Sequence, residues 1–336
     1  MRSLRKPIAL TMGEPAGIAG EIVVKAWHSP DGGLVPPFVY LGDAAWLRAE
    51  AHAQRSHVHV IEVQSAQEAL DRFAEGIPVL PVPLAKRPHH GEPSPSNASA
   101  VIASVSNAVE LVQRGAAAAV VTNPIHKATL YAAGFSFPGH TEFLADLCKV
   151  PSPIMMLTVE GLRVVPVTVH LSLSEAIKSL TTEAIVRAGR TVHAALRRDM
   201  DISQPRLAVA ALNPHAGEGG ALGKEEQLII APAVAALRAE GIAADGPLPA
   251  DTLFHPQARA RHDAVLCMYH DQALIPLKTI DFHHGVNCTL GLPIVRTSPD
   301  HGTAFDIAGK GIANPSSLLA ALRLAERMGA ARDRTA

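Results

Sequence analysis

The chain has 336 residues, of which 48% are hydrophobic and 18% charged, and its formal net charge is −1. A chain of this length and composition can bury a large core, so we expect two lobes or one large α/β unit. The near-neutral charge and the absence of a basic block argue against a nucleic-acid-binding protein.

The N-terminal run MRSLRKPIALTM pairs basic residues with an apolar run that is too short for a signal peptide. It predicts a first strand and a loop rather than a cleaved leader. No apolar stretch approaches the roughly 20 residues that span a bilayer. Cys148, Cys267 and Cys288 are odd in number and lack CxxC spacing, which predicts buried thiols in a reducing compartment. We therefore expect a cytoplasmic protein with no membrane contact.

Further along the chain, apolar runs of strand length alternate with longer Ala-rich segments of helical period. This alternation predicts βαβ units and a largely parallel sheet covered by helices. The predicted strands are Pro7–Met12, Phe38–Leu41, Val58–Val63, Ala118–Thr122, Ile154–Val159, Val164–Val169, Leu207–Leu212 and Ala264–Met268. The predicted helices are Gly20–His28, Ala98–Arg114, Thr182–Arg197, Lys224–Glu240 and Pro315–Arg327. The Pro-, His- and Ser-rich segment Lys86–Ser99 is predicted to be an exposed loop.

Three polar motifs in the first half of the chain are candidates for ligand contact. GEPAGIAGE, at Gly13–Glu21, is either a tight turn or a binding loop, and its spacing is not that of a GxGxxG nucleotide site. In TNPIHKATL, His126 and Lys127 lie at a predicted helix start and are either ligand contacts or a solvated cap. In FPGHTEFLADL, His140 and Thr141 enter a helix whose free N–H groups could hold a phosphate or carboxylate, although Thr141 would also serve as an ordinary cap.

Three histidines each follow an apolar, strand-like run: His170 in VTVHLS, His215 in LNPHAGEGG and His270 in CMYHDQ. Imidazole is the commonest side-chain metal ligand, and three of them leave a coordination position open for water or substrate. Ligands of α/β proteins bind at strand ends. The pattern indicates a metal centre, but the chain has 17 histidines, so chance placement is the alternative for any one of them.

Polar residues also concentrate at the ends of apolar runs between GPLPADTLF and DIAGKGIANP. Lysine and arginine in such places are suited to binding a phosphate or carboxylate, and the acids are suited to base or positioning roles. The set comprises Asp251, His270, Asp271, Lys278, Asn287 and Arg296.

The runs GEPAGI, NPIHK, GHTEF, LNPHAGEGG, GPLPADTLF, MYHDQ and GVNCTLGLPIVRTSPDHGTAFDIAGKG occur in this order along nearly the whole chain. Together they resemble the 4-hydroxythreonine-4-phosphate dehydrogenase (PdxA) family. The last run also resembles the cofactor loop of isocitrate and isopropylmalate dehydrogenases. The chain departs from the usual family wording at GEPAGIAGE, which is commonly closer to GDPAGIGPE, and at His126, where asparagine is common.

The resemblance implies a two-domain α/β/α sandwich of the isocitrate/isopropylmalate dehydrogenase kind with mostly parallel sheets. Residues 1–130 plus 300–336 would form an NAD-binding lobe, and residues 131–299 a lobe for metal, substrate and dimerisation. The partner would be a second copy, with the metal site shared between subunits at the cleft.

The resemblance also implies roles for individual residues. His170, His215 and His270 would bind a divalent metal, Zn²⁺ or alternatively Mg²⁺, Mn²⁺ or Co²⁺. Substrate contacts would be His140, Thr141, Lys278, Asn287 and Arg296. The dinucleotide loop would contain His301, Gly302, Thr303 and Asp306, with NAD preferred over NADP because an acid can accept hydrogen bonds from the ribose. Lys278, Asp251 and Asp271 stay open as the catalytic base.

The implied reaction is NAD-dependent oxidation of 4-phosphohydroxy-L-threonine, followed by decarboxylation to 3-amino-2-oxopropyl phosphate, in vitamin B6 biosynthesis. Sister enzymes that oxidise 4-phospho-threonate or 4-phospho-erythronate share these motifs and are the alternative. A metal-dependent hydrolase would also use three histidines, but it would not need the HGTAFDIAGKG run. A phosphate acyltransferase of related architecture and a non-enzymatic binding module are more distant alternatives.

Overall fold

The structure is a computed structural model that describes residues 6–335. Residues 1–5 and 336, at the two ends of the expected NAD-binding lobe, lie outside the described residues. Within residues 6–335 the α-helices are α1 Ala19–Trp27, α2 Ala44–Ala53, α3 Ala66–Arg72, α4 Ala98–Gln113, α5 Lys127–Ala132, α6 His140–Leu147, α7 Leu173–Ser179, α8 Thr182–Met200, α9 Ala231–Ala239, α10 Pro256–Arg259, α11 His270–Ile280 and α12 Ser316–Thr335. Among the described residues, no helix is long and apolar enough to cross a membrane.

The described residues also form twelve strands, most of which are separated by helices. They are β1 Ile8–Thr11, β2 Phe38–Gly42, β3 Val60–Glu62, β4 Ile77–Pro81, β5 Ala119–Val121, β6 Ile154–Val159, β7 Leu162–Pro166, β8 Arg206–Ala210, β9 Ala243–Leu248, β10 Ala264–Cys267, β11 Val286–Leu290 and β12 Arg296–Pro299. Every predicted strand is present, with ends shifted by a few residues. Strands β4, β9, β11 and β12 are not among the predicted strands, because proline, glycine and polar residues interrupt their apolar pattern.

The predicted helices are all present, and one of them is irregular. The segment predicted as a helix at Lys224–Glu240 contains a π-helical turn at Glu226–Ile230, and α9 follows it directly. The predicted loop Lys86–Ser99 contains a short 3-10 turn at Pro95–Asn97, after which α4 begins. The helix starts expected at Lys127 and His140 are confirmed.

Contacts divide the chain into two units. Unit 1 comprises the chain up to Pro153 together with Leu292–Arg334, and unit 2 comprises Ile154–Gly291. The borders therefore lie at 153/154 and 291/292, whereas the sequence analysis placed them at 130/131 and 299/300. Helices α5 and α6 belong to unit 1, where α6 contacts α4 and α5 contacts the 3-10 turn that precedes α4. The separate roles of the two lobes stay a prediction.

Unit 1 has a six-stranded sheet in the order β3-β4-β2-β1-β5-β12, and all of its strand pairs are parallel. Strands β1, β2 and β5 are buried along their whole length. Continuous apolar strands of this kind arise because crossover helices cover both faces of a parallel sheet.

Unit 2 has six strands in the order β11-β6-β7-β10-β8-β9. Strands β7, β10, β8 and β9 run parallel, whereas β6 pairs antiparallel with both β7 and β11. Strands β6 and β7 form a hairpin across Glu160 and Gly161, with Gly161 at a φ of 73° that glycine adopts without strain. The expected α/β fold with mostly parallel sheets is confirmed, and this hairpin is its antiparallel part.

The core of unit 2 positions the segment after β10. Helix α11 buries Ala273 and Leu277 in a cluster with side chains of β6, β7, β8 and β10. This packing fixes the axis of α11 on the sheet, because well-packed interiors leave little room for displacement. The first residue of the helix, His270, is thereby held close to the carboxyl end of β10. The three cysteines are buried free thiols, as predicted.

Candidate active site

The three histidines follow three neighbouring strands of unit 2. Strands β7, β10 and β8 lie side by side and run parallel, so their carboxyl ends meet at one edge of the sheet. His170 follows β7, His270 begins α11 after β10, and His215 follows β8. The strand order thus brings all three imidazoles to the same edge, although they are 45 and 55 residues apart in sequence.

Two of these imidazoles are close neighbours. The ring centroids of His170 and His270 are 5.8 Å apart, and the ring planes are inclined at 42°. His270 Nδ1 lies 2.7 Å from Oδ1 of Asp271. A carboxylate in this position fixes the ring tautomer and leaves Nε2 as the atom that can bind a ligand.

His215 lies in an unusual loop. Five consecutive residues, 215–219, have left-handed φ values between 45° and 78°, and three of them are not glycine. Such a backbone is costly outside glycine and persists only where the surroundings hold it. Contacts from the rest of unit 2 must therefore stabilise the conformation of this loop.

A buried carboxylate, that of Glu226, accepts hydrogen bonds from the residues at the start of this loop. Glu226 Oε1 accepts hydrogen bonds from the backbone N–H groups of Leu212 (2.9 Å) and Asn213 (2.7 Å), and its Oε2 accepts one from Asn213 Nδ2 (2.9 Å). A Cβ on Gly217 would lie 2.6 Å from Glu226 Oε2, so only glycine fits there. Glu226 is 3% exposed. Glu226 is not among the predicted site residues, and its only signal in the sequence is that an acid follows the glycine-rich loop closely.

The donor chemistry at this edge fits a divalent metal, because neutral imidazole binds Zn²⁺ and the other first-row divalent ions. The described residues of a single chain, however, do not bring enough ligands together to form the whole metal site. Within residues 6–335, no group of three or more His, Cys, Asp or Glu side chains stands close enough together to hold an ion.

The other predicted residues of unit 2 are dispersed. Lys278 lies on α11 with its Nζ 5.1 Å from the ring centroid of Phe282. Asp251 is exposed in a 3-10 turn, Ala250–Thr252. Asn287 lies on β11, and its Oδ1 is buried without a hydrogen-bond partner in the described part of the chain. A buried amide oxygen of this kind is available to a ligand donor.

In unit 1, Arg296 and His140 form a second polar group. Arg296 is 3% exposed on β12, and its Nε and Nη2 donate to Oγ1 of Thr122 at 3.2 and 2.6 Å. His140 begins α6, with Thr141 next to it. Burial, reinforced by the cations Arg296 and Lys127, lowers the pKa of His140 well below its usual range. His140 is therefore a neutral hydrogen-bonding group.

The predicted dinucleotide loop joins β12 to α12 in unit 1, and it includes His301, Gly302, Thr303 and Asp306. The backbone of Thr303 lies against the GEPAGIAGE loop, because its carbonyl accepts from Ile18 N at 3.1 Å. A Cβ on Gly17 would lie 2.7 Å from that carbonyl oxygen, which explains the glycine. Phe305 packs edge-on against His126, with ring centroids 4.9 Å apart.

The C-terminal end of the same loop, at Gly311 and Ala313, is hydrogen-bonded to a partly buried ion pair on α1. Glu21 Oε1 accepts from Ala313 N at 2.8 Å and from Lys25 Nζ at 2.9 Å. Lys25 Nζ also donates to the carbonyls of Gly311 (2.9 Å) and Ala313 (2.8 Å). The sequence analysis did not single out Lys25 or assign Glu21 this role, because the contacts join residues almost 300 positions apart.

The fold is that of an α/β enzyme, with polar side chains on strands, at helix starts and in loops that follow strands. The profile of the family described as pyridoxal phosphate biosynthetic protein PdxA matches residues 34–325. The chain is 55% identical over 335 residues to the 4-hydroxythreonine-4-phosphate dehydrogenase of Caulobacter vibrioides, covering 97% of this chain and 98% of that protein. The chain belongs to the PdxA family, which confirms the resemblance drawn from its motifs.

Further relatives agree with this assignment. The 4-hydroxythreonine-4-phosphate dehydrogenase of Methylorubrum populi is 53% identical, over 98% of this chain and 96% of that protein. A crystal structure of the Klebsiella pneumoniae enzyme of that name superposes with a TM-score of 0.88 at 38% identity, covering 98% of this chain and 99% of that chain. These relatives are dehydrogenases, so the expected enzyme class, an oxidoreductase, is confirmed.

Two solved structures with lower TM-scores are also similar to this chain. A terephthalate 1,2-cis-dihydrodiol dehydrogenase from Burkholderia xenovorans is 31% identical with a TM-score of 0.65, covering 96% of this chain and 98% of that chain. A branched-chain phosphotransacylase from Enterococcus faecalis is 12% identical with a TM-score of 0.53, over 96% of this chain and 99% of that chain. The second likeness concerns the fold alone.

Proposed function

We propose that the chain oxidises 4-phosphohydroxy-L-threonine with NAD to 2-amino-3-oxo-4-phosphooxybutanoate, which decarboxylates to 3-amino-2-oxopropyl phosphate. The observation that carries this proposal is the 55% identity, along nearly the whole chain, to a dehydrogenase named for that substrate. The pathway would be pyridoxal 5′-phosphate biosynthesis, in agreement with the description of the matching family. A cytoplasmic location is part of the proposal.

His170, His215 and His270 would hold a divalent ion, with Zn²⁺ as the first choice and Mg²⁺, Mn²⁺ or Co²⁺ as alternatives. A bound ion supplies Lewis-acid chemistry, which lowers the pKa of a substrate hydroxyl and stabilises the negative charge that forms on its oxygen. The placement of all three imidazoles after adjacent parallel strands supports this assignment. Asp271 orients His270 through Nδ1, so we assign it a positioning role ahead of a role as base.

The substrate contacts would be His140, Thr141, Lys278, Asn287 and Arg296. Arg296 presents a guanidinium held by Thr122, which suits a phosphate or carboxylate. His140 would be neutral and would donate a hydrogen bond from its ring N–H group to a phosphate oxygen. Asn287 offers a buried amide. Lys278 and Asp251 remain the candidates for the group that removes the hydroxyl proton.

NAD would bind along the loop with His301, Gly302, Thr303 and Asp306. The exposed carboxylate of Asp306 would accept hydrogen bonds from the adenosine ribose and repel a 2′-phosphate, which favours NAD over NADP. A Cβ on Gly302 would meet no atom within 4 Å, so the backbone there is open to a ligand. The fixed ends of this loop, at Thr303 and Ala313, support a preformed site.

A second copy of the chain would be the partner, with the metal site shared between subunits. Among residues 6–335, twelve large hydrophobic side chains are exposed, and nine of them lie in unit 2. Four of them flank His170: Val169, Leu171, Leu173 and Ile177. Exposed apolar side chains concentrated in one region indicate a protein interface. Their position beside a proposed ligand supports a metal site close to that interface.

A substrate panel tests the proposal. The purified chain, with NAD and Zn²⁺, is offered 4-phosphohydroxy-L-threonine, 4-phospho-threonate, 4-phospho-erythronate and terephthalate dihydrodiol, and NADH absorbance is followed. We expect the highest kcat/KM for the first compound. A higher value for a phosphorylated sugar acid would move the chain to a sister activity. A preference for the dihydrodiol, or no NAD reduction with any compound, would overturn the proposal.

A further inference from the structure

The start of α6 is surrounded by basic side chains of unit 1. His140 is the first residue of this helix, and its Nε2 is buried without a hydrogen-bond partner among residues 6–335. Arg296 and Lys127 both act electrostatically on that imidazole. Arg296 is buried and oriented by Thr122. The site therefore contains a buried imidazole nitrogen with unused hydrogen-bonding capacity close to two cations.

Lys127 comes from a different segment, the NPIHK motif at the start of α5, to which the proposed function assigns no role. Its Cε and Nζ lie 3.3 and 3.4 Å from the point that a Cβ on Gly139 would occupy. Gly139 directly precedes α6 and has an extended backbone with a φ of −177°. The end of the Lys127 side chain thus lies close to the backbone position that directly precedes α6.

The charge of Lys127 is available for a ligand. The side chain is exposed, and its ammonium group forms no ion pair among residues 6–335. The nearest acid on α6, Glu142, has its Oε2 3.4 Å from the same Gly139 position, and this carboxylate is itself exposed. An ammonium on an exposed stem can turn toward an incoming anion, since it acts as a mobile point charge.

We propose that Lys127 is a substrate-binding residue whose ammonium group contacts the phosphate that His140, Thr141 and Arg296 hold at the start of α6. This inference rests on the proposed function, because it takes the phosphorylated substrate from there. A phosphate monoester carries about −1.5 to −2 charges near neutral pH. Arg296 offers one formal positive charge and neutral His140 offers none, so Lys127 supplies the second. The helix N–H groups add hydrogen bonds to the same oxygens.

The experiment measures two quantities on the full-length enzyme. One is the KM of the phosphorylated substrate, and the other is the inhibition constant of inorganic phosphate, which does not depend on the substrate's identity. The variants are Lys127→Gln, which removes the charge, and Lys127→Arg, which keeps it. The control is Lys149→Gln just beyond the far end of α6, where the ammonium lies 3.5 Å from Asp146 in an exposed pair.

For Lys127→Gln we expect both constants to rise about tenfold, with kcat changed less than twofold, because the charge contributes to binding before and during the reaction alike. Lys127→Arg should recover most of the loss, and Lys149→Gln should match the unmodified enzyme. Gly139→Ala adds a Cβ 3.3–3.4 Å from the end of the Lys127 side chain, so it should raise the same two constants less than Lys127→Gln does while every charge is kept. An equal rise for Lys149→Gln would mean that only net charge matters, and would overturn the proposal.

Different results would refute the proposed function and the role of Lys127. If phosphate does not inhibit the unmodified enzyme and the phosphorylated substrate is not oxidised, the proposed function is wrong. If phosphate inhibits the unmodified enzyme and Lys127→Gln alike, the phosphate site stands and the role of Lys127 is wrong. A loss of kcat with unchanged KM would also overturn the binding role of Lys127.

Discussion

His90 Nε2 lies 3.1 Å from Oε1 of Glu50, and this pair joins the loop before α4 to helix α2. The His90 ring also packs on Gly309, where a Cβ would lie 2.5 Å from Cδ2. The side chain of Glu50 is 8% exposed, and Glu21 is buried nearby. Burial first, and the negative charge of Glu21 second, raise the pKa of Glu50 to about 7. Glu50 thus titrates in the physiological range beside the proposed dinucleotide loop.

The raised pKa of Glu50 predicts a pH-dependent stability. Between pH 4.5 and 7 the folded chain keeps a proton on Glu50 that the unfolded chain has lost, so this group lowers the free energy of unfolding as pH rises. The full loss is up to about 3 kcal/mol. Glu50→Gln cannot ionise and should gain stability relative to the unmodified chain between pH 5 and pH 8. Urea unfolding at several pH values measures the difference, and a difference that is constant with pH would contradict the prediction.

His215→Ala should abolish NADH production and reduce the metal content of the purified protein. The physical reason is that two imidazoles bind a divalent ion much more weakly than three. Elemental analysis and NADH absorbance provide the measurements. His52→Ala, at an exposed position on α2, serves as the control and should keep both properties. Full activity in a metal-free preparation would refute the role assigned to the three histidines.

Glu226→Ala should destabilise the chain by about 2–4 kcal/mol, because several backbone and side-chain donors lose a buried charged acceptor. It should also lower metal affinity, since the left-handed backbone at His215 loses its support. Glu225→Ala is the matched control. Glu225 is only half-buried, and the groups that donate to it, Asn213 Nδ2 and nearby backbone N–H groups, can turn to water in its absence, so we expect a smaller loss of stability than for Glu226→Ala. Denaturant midpoints compare the two, and equal midpoints would show that burial of Glu226 is unimportant.

Thr122→Val should raise the KM of the phosphorylated substrate and lower the free energy of unfolding by about 1–3 kcal/mol. The substitution preserves the shape of the buried side chain but removes the oxygen that accepts two hydrogen bonds from Arg296. Thr122→Ser keeps the hydroxyl and should retain most of the affinity. Steady-state kinetics and urea unfolding test the pair of variants. An unchanged KM in Thr122→Val would mean that Arg296 needs no support from Thr122.

The amino-acid sequence by itself determined the class of fold, most of the strands and the residues worth examining. Strand and helix patterns depend on neighbours a few positions apart, so they are readable from local periodicity. The same holds for a histidine placed directly after a strand-like run, such as His170 or His270. The family motifs then indicated the chemistry, because their order along the chain is specific.

Only the tertiary structure decided which of these residues meet. Strands β7, β10 and β8 are neighbours although they are not consecutive, and this order alone places His170, His215 and His270 at one edge. The approach of Lys127 to Gly139 and the hydrogen bonds that Glu226 accepts from the loop after β8 also depend on side-chain packing. Such contacts follow from how buried surfaces fit together across long stretches of chain. No local pattern carries that information, because strand neighbours and buried partners are selected by the packing of the whole unit.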